Sequence, residues 1–325
     1  MQNNHALNPS IISQANVAHF QDFGFVKLPK LLNAQEIRGL RAAMGRALET
    51  LSQSPNAYNV TAAADAFWTE EAANDNQDAS QHDLAALAKA VRESELPRLV
   101  DAASEGPRGK FILDTSVWRR VPALAAFALG SRLPEISSAL LGADAVRYYD
   151  DQMFVKEPGA VDRAAFHQDV PYFHLDGCAG CVFWIPLEAV GPGGGRLGYI
   201  PGSHRWGQVF KPNIFVSALA FPGSQGVDMP AIDKDPEAFG VRYLDVEPGD
   251  VLVHHFLTVH GSEGNRGGTA RPAFSLRYCD AALRYRYKPG APPQPLHRAG
   301  TQDGDALDDA IHPVVWPKRA VRKAA

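Results

Sequence analysis

The chain has 325 residues, with 32 Lys and Arg against 36 Asp and Glu, a formal net charge of −4, 45 % apolar residues and 21 % charged ones. This balance is that of a globular chain, and a near-neutral charge with no Lys/Arg block argues against nucleic acid as the main partner. The longest apolar run, near Val121–Leu129, falls far short of the roughly 18 residues of a membrane span, the opening MQNNHALNPS resembles no secretory signal, and three cysteines cannot all pair, so a cytoplasmic protein without a membrane partner is expected.

The first part of the chain reads as helical. Ser13 is placed to cap a short helix carrying Val17, Phe20 and Phe23, and Phe25–Leu28 reads as a short strand. Asn33, with Glu36 three residues later, is a capping-box pattern. Ile37, Leu40, Met44, Leu48 and Leu51 then recur at spacings of three and four, which is one apolar helical stripe. Residues 53–81 are rich in Asn, Ala, Asp and Gln, apolar chiefly at Phe67 and Trp68, and read as a flexible loop. Helical periodicity returns at Leu84–Glu93 and at Leu124–Leu141, with a break expected near Pro134. Residues 12–144 therefore form a helical flank.

From Ala145 the pattern changes. Val146–Lys156, Gly180–Pro186, Gly195–Pro201, Gly240–Leu244, Val251–Val259 and Pro272–Tyr278 read as strands, separated by EPGA, GPGGG, PGSH, EPGD and EGNRGG. The chain holds 28 Gly and 24 Pro, more than the background of about 12 %, and most of the excess lies after residue 155. Short strands bounded by such turns predict a jelly roll or barrel over 145–280, packed against the N-terminal helices. The Pro-rich, then acidic, stretch 288–325 reads as an extension over the surface, and no repeat marks a second domain. The expected unit is a single domain over 1–325.

Six of the 11 histidines fall between His167 and His260. Imidazole is the commonest neutral metal ligand. In His167-Gln168-Asp169, residues i and i+2 of a strand share a face, so an imidazole and a carboxylate can converge on one cation. A third ligand from a distant strand would complete a 2-His-1-carboxylate facial triad, the donor set of non-haem Fe(II) oxygen chemistry. A second copy of the pattern, His174-Leu175-Asp176, shows that the pair alone is weak evidence. For the third ligand His254, His255 and His260 compete. Read as one continuous strand, the six residues from His254 to His260 span roughly 20 Å, so these two cannot hold the same ion. Arg271 opens the following strand and can point inward, whereas Arg266 lies in a turn.

The ordered motifs HQDVPYF, GGGRLGYIPGSHRWG, EPGDVLVHHFLTVHGSEGN and RPAFSLRY resemble the phytanoyl-CoA dioxygenase family of Fe(II)/2-oxoglutarate oxygenases, and FQDFGFVKLPKLL resembles its opening segment. The resemblance covers about residues 18–280. It implies a mainly β double-stranded β-helix (jelly-roll, cupin-like) core, with Fe(II), 2-oxoglutarate and O₂ as cofactor and co-substrates. It implies His167, Asp169 and His260 as metal ligands. Arg271 would hold the distal carboxylate of 2-oxoglutarate, helped by Ser262, with Gln152 and Trp184 at the co-substrate pocket. The family also uses an upstream Lys, for which Lys110 is the nearby candidate. Halogenating relatives replace the acid of the HxD motif, so Asp169 points to oxygen transfer.

The remaining signals are blander. Cys178-Ala179-Gly180-Cys181 has no partner pair for zinc and precedes a strand rather than a helix, so it reads as small residues at a strand start. Gly191–Gly195 lacks the Gly-Lys-Ser/Thr of a phosphate loop and reads as a hairpin turn. His204, in PGSH, reads as a local hydrogen-bonding residue. Trp118, Tyr172, Phe173 and Trp206 are candidates for a substrate pocket, although such aromatics more often fill cores. The expected activity is hydroxylation of an unactivated C–H of a small-molecule substrate with release of succinate and CO₂. Two rivals remain: a cupin-type metalloenzyme that needs no 2-oxoglutarate, and a non-catalytic metal-containing jelly roll that binds a small molecule.

Overall fold

Alternation in a few strands builds the main sheet of this protein, a computed structural model of which describes residues 11–68, 84–102, 108–292 and 300–317. In β6 (Gly180–Pro186), Cys181, Phe183 and Ile185 face outward, while Val182 and Trp184 face inward. β9 (Val251–His255) and β11 (Arg271–Asp280) repeat the scheme: Val251, Val253, Phe274, Leu276 and Tyr278 point out, and Leu252 and Ala273 point in. β4 (Val146–Lys156) pairs with β11, and β1 (Phe25–Leu28), β2 (Tyr58–Asn59) and β3 (Phe111–Thr115) extend the edges, giving the order β1-β9-β6-β11-β4-β3-β2. A smaller sheet has the order β5-β10-β7-β8, from Ala164–His167, His260–Ser262, Leu197–Tyr199 and Arg242–Leu244. All the pairings between these strands are antiparallel. The sheets meet through Phe25, Trp184, Leu252 and Ala273 on one side and Leu197 and Tyr199 on the other. This is a mainly β architecture with helices on one face.

The outward face of the large sheet is covered by helices. α1 (Gln14–Phe23) is capped by Ser13, and α2 (Ala34–Glu49) opens with the full capping box of Asn33 and Glu36. Phe20, Ile37, Leu40 and Met44 pack on the sheet with Leu124, Leu133, Ile136 and Leu140 from α5 (Pro122–Gly130) and α6 (Leu133–Leu141). Each fully buried Leu, Ile or Phe contributes about 1.5–3 kcal/mol, so this layer anchors the sheet. The break expected near Pro134 in Leu124–Leu141 falls just before it, at Ser131–Arg132. Pro134 sits in the first turn of α6, where its missing N–H leaves no helical bond unmade. Among the described residues, no helix is long and apolar enough to cross a membrane.

Three expectations are revised. The stretch read as a flexible loop contains β2 and a helix, α3 (Val60–Trp68), whose Val60 and Ala64 are buried. The part of that loop over residues 69–81 lies outside the described residues. α4 (Leu84–Glu93) follows as expected. The tail does more than cover the surface: β12 (Val314–Trp316) pairs with β4, and His312 is buried and stacks on Tyr149 at 4.9 Å. Finally, the strand read as Val251–Val259 is two strands. β9 ends at His255, the chain turns at Phe256 and Leu257, and β10 begins at His260 in the other sheet.

β10 lies so close to β5 that a Cβ on Gly261 would stand 2.8 Å from the Ala164 carbonyl oxygen. Gly261→Ala should push β10 away from β5 and destabilise the fold by about 1–3 kcal/mol. A chemical-unfolding midpoint equal to that of the unaltered protein would contradict this.

Candidate functional site

The two sheets bring together the residues of the HxD and HGS motifs. His167 ends β5 and His260 begins β10, directly opposite in register, with ring centroids 4.4 Å apart. Asp169 does not lie on the strand. The backbone turns into a helical conformation at Asp169, which opens a short 3-10 turn over Val170–Tyr172. That turn returns the carboxylate toward His167, with Nε2 and Oδ1 4.0 Å apart. One nitrogen of each imidazole and a carboxylate oxygen of Asp169 all lie within 4.8 Å of one another. Gln168 faces away from the centre. Its amide donates to the Gln208 and Leu257 carbonyls and accepts from the Phe210 N–H, tying neighbouring loops to the motif.

The surrounding contacts prepare these groups for a cation. His167 Nδ1 donates to the Ala165 carbonyl at 2.8 Å and His260 Nδ1 to the Thr258 carbonyl at 3.0 Å, leaving each Nε2 lone pair directed to the centre. Burial pushes both imidazoles down to about 4, so they are neutral near pH 7. Burial alone would raise the Asp169 carboxyl. The His254 hydrogen bond and the neighbouring charges instead hold it well below the usual carboxylate range. Two neutral imidazoles and one carboxylate form a donor set suited to a divalent first-row metal.

His254 corrects the distance expected from the sequence. Because the chain turns after His255, the His254 and His260 rings lie 4.1 Å apart instead of the roughly 20 Å of a continuous strand. His254 is nevertheless no fourth ligand. Its Nε2 donates to Asp169 Oδ2 at 3.1 Å, and its Nδ1 accepts from the Tyr199 hydroxyl at 3.2 Å. One carboxylate oxygen is thus held, and Oδ1 is left for a metal.

Arg271 begins β11 and is buried, with 3 % of its surface exposed. Its Nε and Nη1 have no hydrogen-bond partner, and its guanidinium lies over the Trp184 ring at 5.4 Å. Burial lowers its pKa to about 10, which leaves it charged at neutral pH. A buried charge without a counter-ion costs several kcal/mol, so this end of the site is built for an anion. Lys110, the candidate for an upstream Lys, is exposed, whereas Lys156, opposite Arg271 in the β4–β11 ladder, is fully buried. Lys156 Nζ donates to Ser262 Oγ at 2.9 Å and to the Asp162 and Glu263 carbonyls. With its oxygen accepting from Lys156, the Ser262 hydroxyl is free to donate its own proton toward a ligand. Burial, and then the Arg271 charge, lower the Lys156 pKa well below its ordinary value.

Both ends open into one cavity of about 810 Å³, lined by His167, Asp169, His260, Ser262, Arg271, Gln152 and Trp184. Tyr172 and Phe173 also line it, but Trp118 and Trp206 do not. Trp118 packs edge-on against Tyr148 on the helical side of the sheet, and Trp206 is exposed beside Phe210. In their place the wall is completed by Phe67 and Trp68 of α3 and by Phe215. Phe215 holds a left-handed backbone with φ 70°, a strained conformation for a bulky residue, and packs against the His167 ring at 5.4 Å. Cys178 and Cys181 are free thiols, and Gly191–Gly195 is the turn between β6 and β7.

The family model of phytanoyl-CoA dioxygenase (PhyH) matches residues 20–273. The chain belongs to this family. Phytanoyl-CoA dioxygenase 1 of Oryza sativa subsp. japonica is 27 % identical over 183 residues, 54 % of this chain and 61 % of the rice protein. The peroxisomal phytanoyl-CoA dioxygenase of Bos taurus is 27 % identical over 124 residues, 38 % of this chain and 35 % of the bovine one. The match thus spans less than two thirds of these relatives. Among solved structures, the non-heme alpha ketoglutarate dependent carbocyclase SnoK from nogalamycin biosynthesis superposes with a TM-score of 0.60 at 22 % identity, covering 94 % of this chain and 97 % of SnoK. EctD from S. alaskensis, solved with 2-oxoglutarate and 5-hydroxyectoine, superposes with a TM-score of 0.58 at 19 % identity, covering 94 % and 89 %. These likenesses establish the double-stranded β-helix fold of this PhyH member.

Burial sets a pH dependence. His167, His255, His260 and His312 are pushed down to about 4 from an ordinary 6.5. Between those values the unfolded chain takes up protons on these imidazoles that the folded chain refuses, so stability is lost as the pH falls. The buried Asp150 and Asp151 carboxyls, raised by burial to about 6 and about 8, act in the opposite sense but are outnumbered by the four imidazoles, so the unfolding free energy of the metal-free protein should decrease from about pH 6 to about pH 4. A flat profile in urea titrations across that range would contradict this.

Proposed function

We propose that this PhyH-family chain is a non-haem Fe(II)- and 2-oxoglutarate-dependent dioxygenase, a single catalytic unit that hydroxylates an unactivated C–H of a small-molecule substrate. The observation that carries the reading is the pairing of a neutral His/His/carboxylate cluster with a buried, unpartnered guanidinium in one cavity. The first fits Fe(II), and the second fits the far carboxylate of a dicarboxylate. A cupin-type enzyme without 2-oxoglutarate, or a structural metal site, leaves Arg271 without a function.

In this reading His167, Asp169 and His260 hold the metal. When bound, Fe(II) and 2-oxoglutarate supply the oxygen-activating chemistry and release succinate and CO₂. The chain's own residues do the rest. Arg271 receives the distal carboxylate in a planar, bidentate fashion that a Lys cannot copy, and the Ser262 hydroxyl adds a donor. Lys156 orients Ser262 and adds positive potential at the same end. Trp184 supplies the flat wall beneath the guanidinium, and Gln152 lines the pocket between the two ends. Phe215, Tyr172 and Phe173 exclude water from the substrate side, which strengthens every charged contact inside.

Two measurements test the assignment. Anaerobic Fe(II) titration with 2-oxoglutarate present should show binding lost in His260→Ala, and Arg271→Ala should weaken 2-oxoglutarate by about a hundredfold, the worth of a charged bidentate contact. Unchanged metal binding and succinate formation in both variants would sink the reading. His254→Leu removes the donor that holds Asp169 and should lower Fe(II) affinity by about 10- to 100-fold while leaving the ligand set intact. An unaltered affinity would show that His254 only packs.

A further inference from the structure

The interior row of side chains on β4 and β11 has two ends. At one, Lys156 faces Arg271. At the other, Asp150 faces Arg277, six residues or roughly 20 Å further along β11. The second end is not used by the metal or by the dicarboxylate at Arg271. Arg277 donates from Nη2 to Gln152 Oε1, and its Nε has no partner. Asp150 accepts at Oδ2 from the Ser116 hydroxyl at 3.1 Å, and its Oδ1 has no partner. The Tyr149 hydroxyl has none either. These three side chains are only 7 %, 5 % and 1 % exposed, and all of them line the cavity that holds the His/Asp/His cluster.

A local irregularity puts them there. Tyr278 pairs with Tyr148 while Arg277 pairs with Asp150, so Tyr149 is an extra residue in β4. A bulge of this kind re-aims side chains. Here it brings two neighbouring residues, Tyr149 and Asp150, to the same interior. Tyr148 and Asp151 on either side are instead occupied with each other and with the backbone N–H groups of Val117 and Trp118. Buried polar atoms are almost always paired, and three unpaired ones at one end of a cavity are the complement of a missing ligand. The set is specific: Arg277 offers N–H donors, Asp150 offers an acceptor, and Tyr149 can do either.

Resting on the oxygenase reading, we propose that Arg277, Asp150 and Tyr149 form the polar end of the substrate pocket and recognise a carboxylate flanked by a hydrogen-bond donor, a hydroxyl or an amine, on an otherwise apolar molecule. The guanidinium takes the carboxylate, and Asp150 Oδ1 accepts from the neighbouring donor. Gln152 fixes the guanidinium from the side, and Phe173 packs against it with its ring 5.4 Å away. The apolar body then meets Tyr172, Phe215 and Phe221. Separate guanidiniums at the two ends allow substrate and 2-oxoglutarate, both anionic, to be held at once.

The test is anaerobic calorimetry on the protein loaded with Fe(II) and 2-oxoglutarate, titrated with a panel of aromatic hydroxy acids and amino acids and with the methyl ester of each. At least one acid should bind, and its ester should bind about tenfold or more weakly, as expected for loss of a charged hydrogen bond. The better of the hydroxy-acid and amino-acid arms identifies the donor that Asp150 takes. Arg277→Gln should erase the difference between acid and ester, and Asp150→Asn should erase the preference for the flanking donor. Arg277→Lys, which keeps the charge without the planar fork, serves where Arg277→Gln fails to fold, and the acid–ester comparison on the unaltered protein needs no variant. Equal binding of acids and esters, or binding by no member of the panel, overturns the proposal. So does an Arg277→Gln protein that has lost 2-oxoglutarate, read from the visible absorbance of its Fe(II) complex, since Arg277 then serves the co-substrate. Failure of the unaltered protein to form that complex overturns the oxygenase reading instead.

Discussion

The hydrogen bond from His254 to Asp169 joins the two sheets at the centre of the site. His254 stands on β9 of the large sheet, and Asp169 follows β5 of the small one. Through this contact the carboxylate is held ionised and is oriented with one oxygen free. Tyr199 supports His254 from β7 and stacks against His260 at 5.9 Å, so the same small group of side chains fixes the register of His260. Removing Tyr199 or His254 loosens the carboxylate, because the hydrogen bonds from Tyr199 to His254 and from His254 to Asp169 each orient the next group in the chain.

The interior of the barrel is divided by charge. One end holds the buried cations Lys156 and Arg271, with Ser262 between the lysine and the cavity. The middle holds the neutral imidazoles and Asp169. The far end holds Arg277 and Asp150 across from each other. Apolar side chains on the outward faces of the same strands pack on α1, α2, α5 and α6, and this packing supports the unfavourable burial of so many polar groups. The alternation of β11 thus performs two tasks with one strand: Phe274, Leu276 and Tyr278 anchor it, while Arg271, Ser275 and Arg277 face the cavity.

Much of the fold was legible. β4 and β6 occupy the ranges Val146–Lys156 and Gly180–Pro186 read from the sequence, and the capping box at Asn33 marks the start of α2. The departures have definite causes. Phe256 and Leu257 make a turn without Gly or Pro, so the pattern of Val251–Val259 reads as unbroken. The helix α3 is short and Ala-rich, and only its packing on the cavity wall distinguishes it from the polar segment around it. The bulge at Tyr149 leaves no mark in a run that already alternates imperfectly. Trp118 and Trp206 are large aromatics like those of the wall, and nothing local separates a core or surface tryptophan from a cavity one.

By itself the sequence determined the identity and order of the chemistry: an HxD pair, a later His-Gly-Ser, an arginine at the head of the next strand, and a chain punctuated by Gly and Pro into short antiparallel strands. Those are local patterns, and residue type and spacing suffice to express them. Only the tertiary structure decided which buried cation stands opposite Arg271, that His254 serves Asp169 rather than a metal, and that a second guanidinium faces the same cavity. The physical reason is that each of these facts is a distance between strands far apart in the chain. Inter-strand register is set by the packing of both faces together and by turns and bulges that shift it one residue at a time.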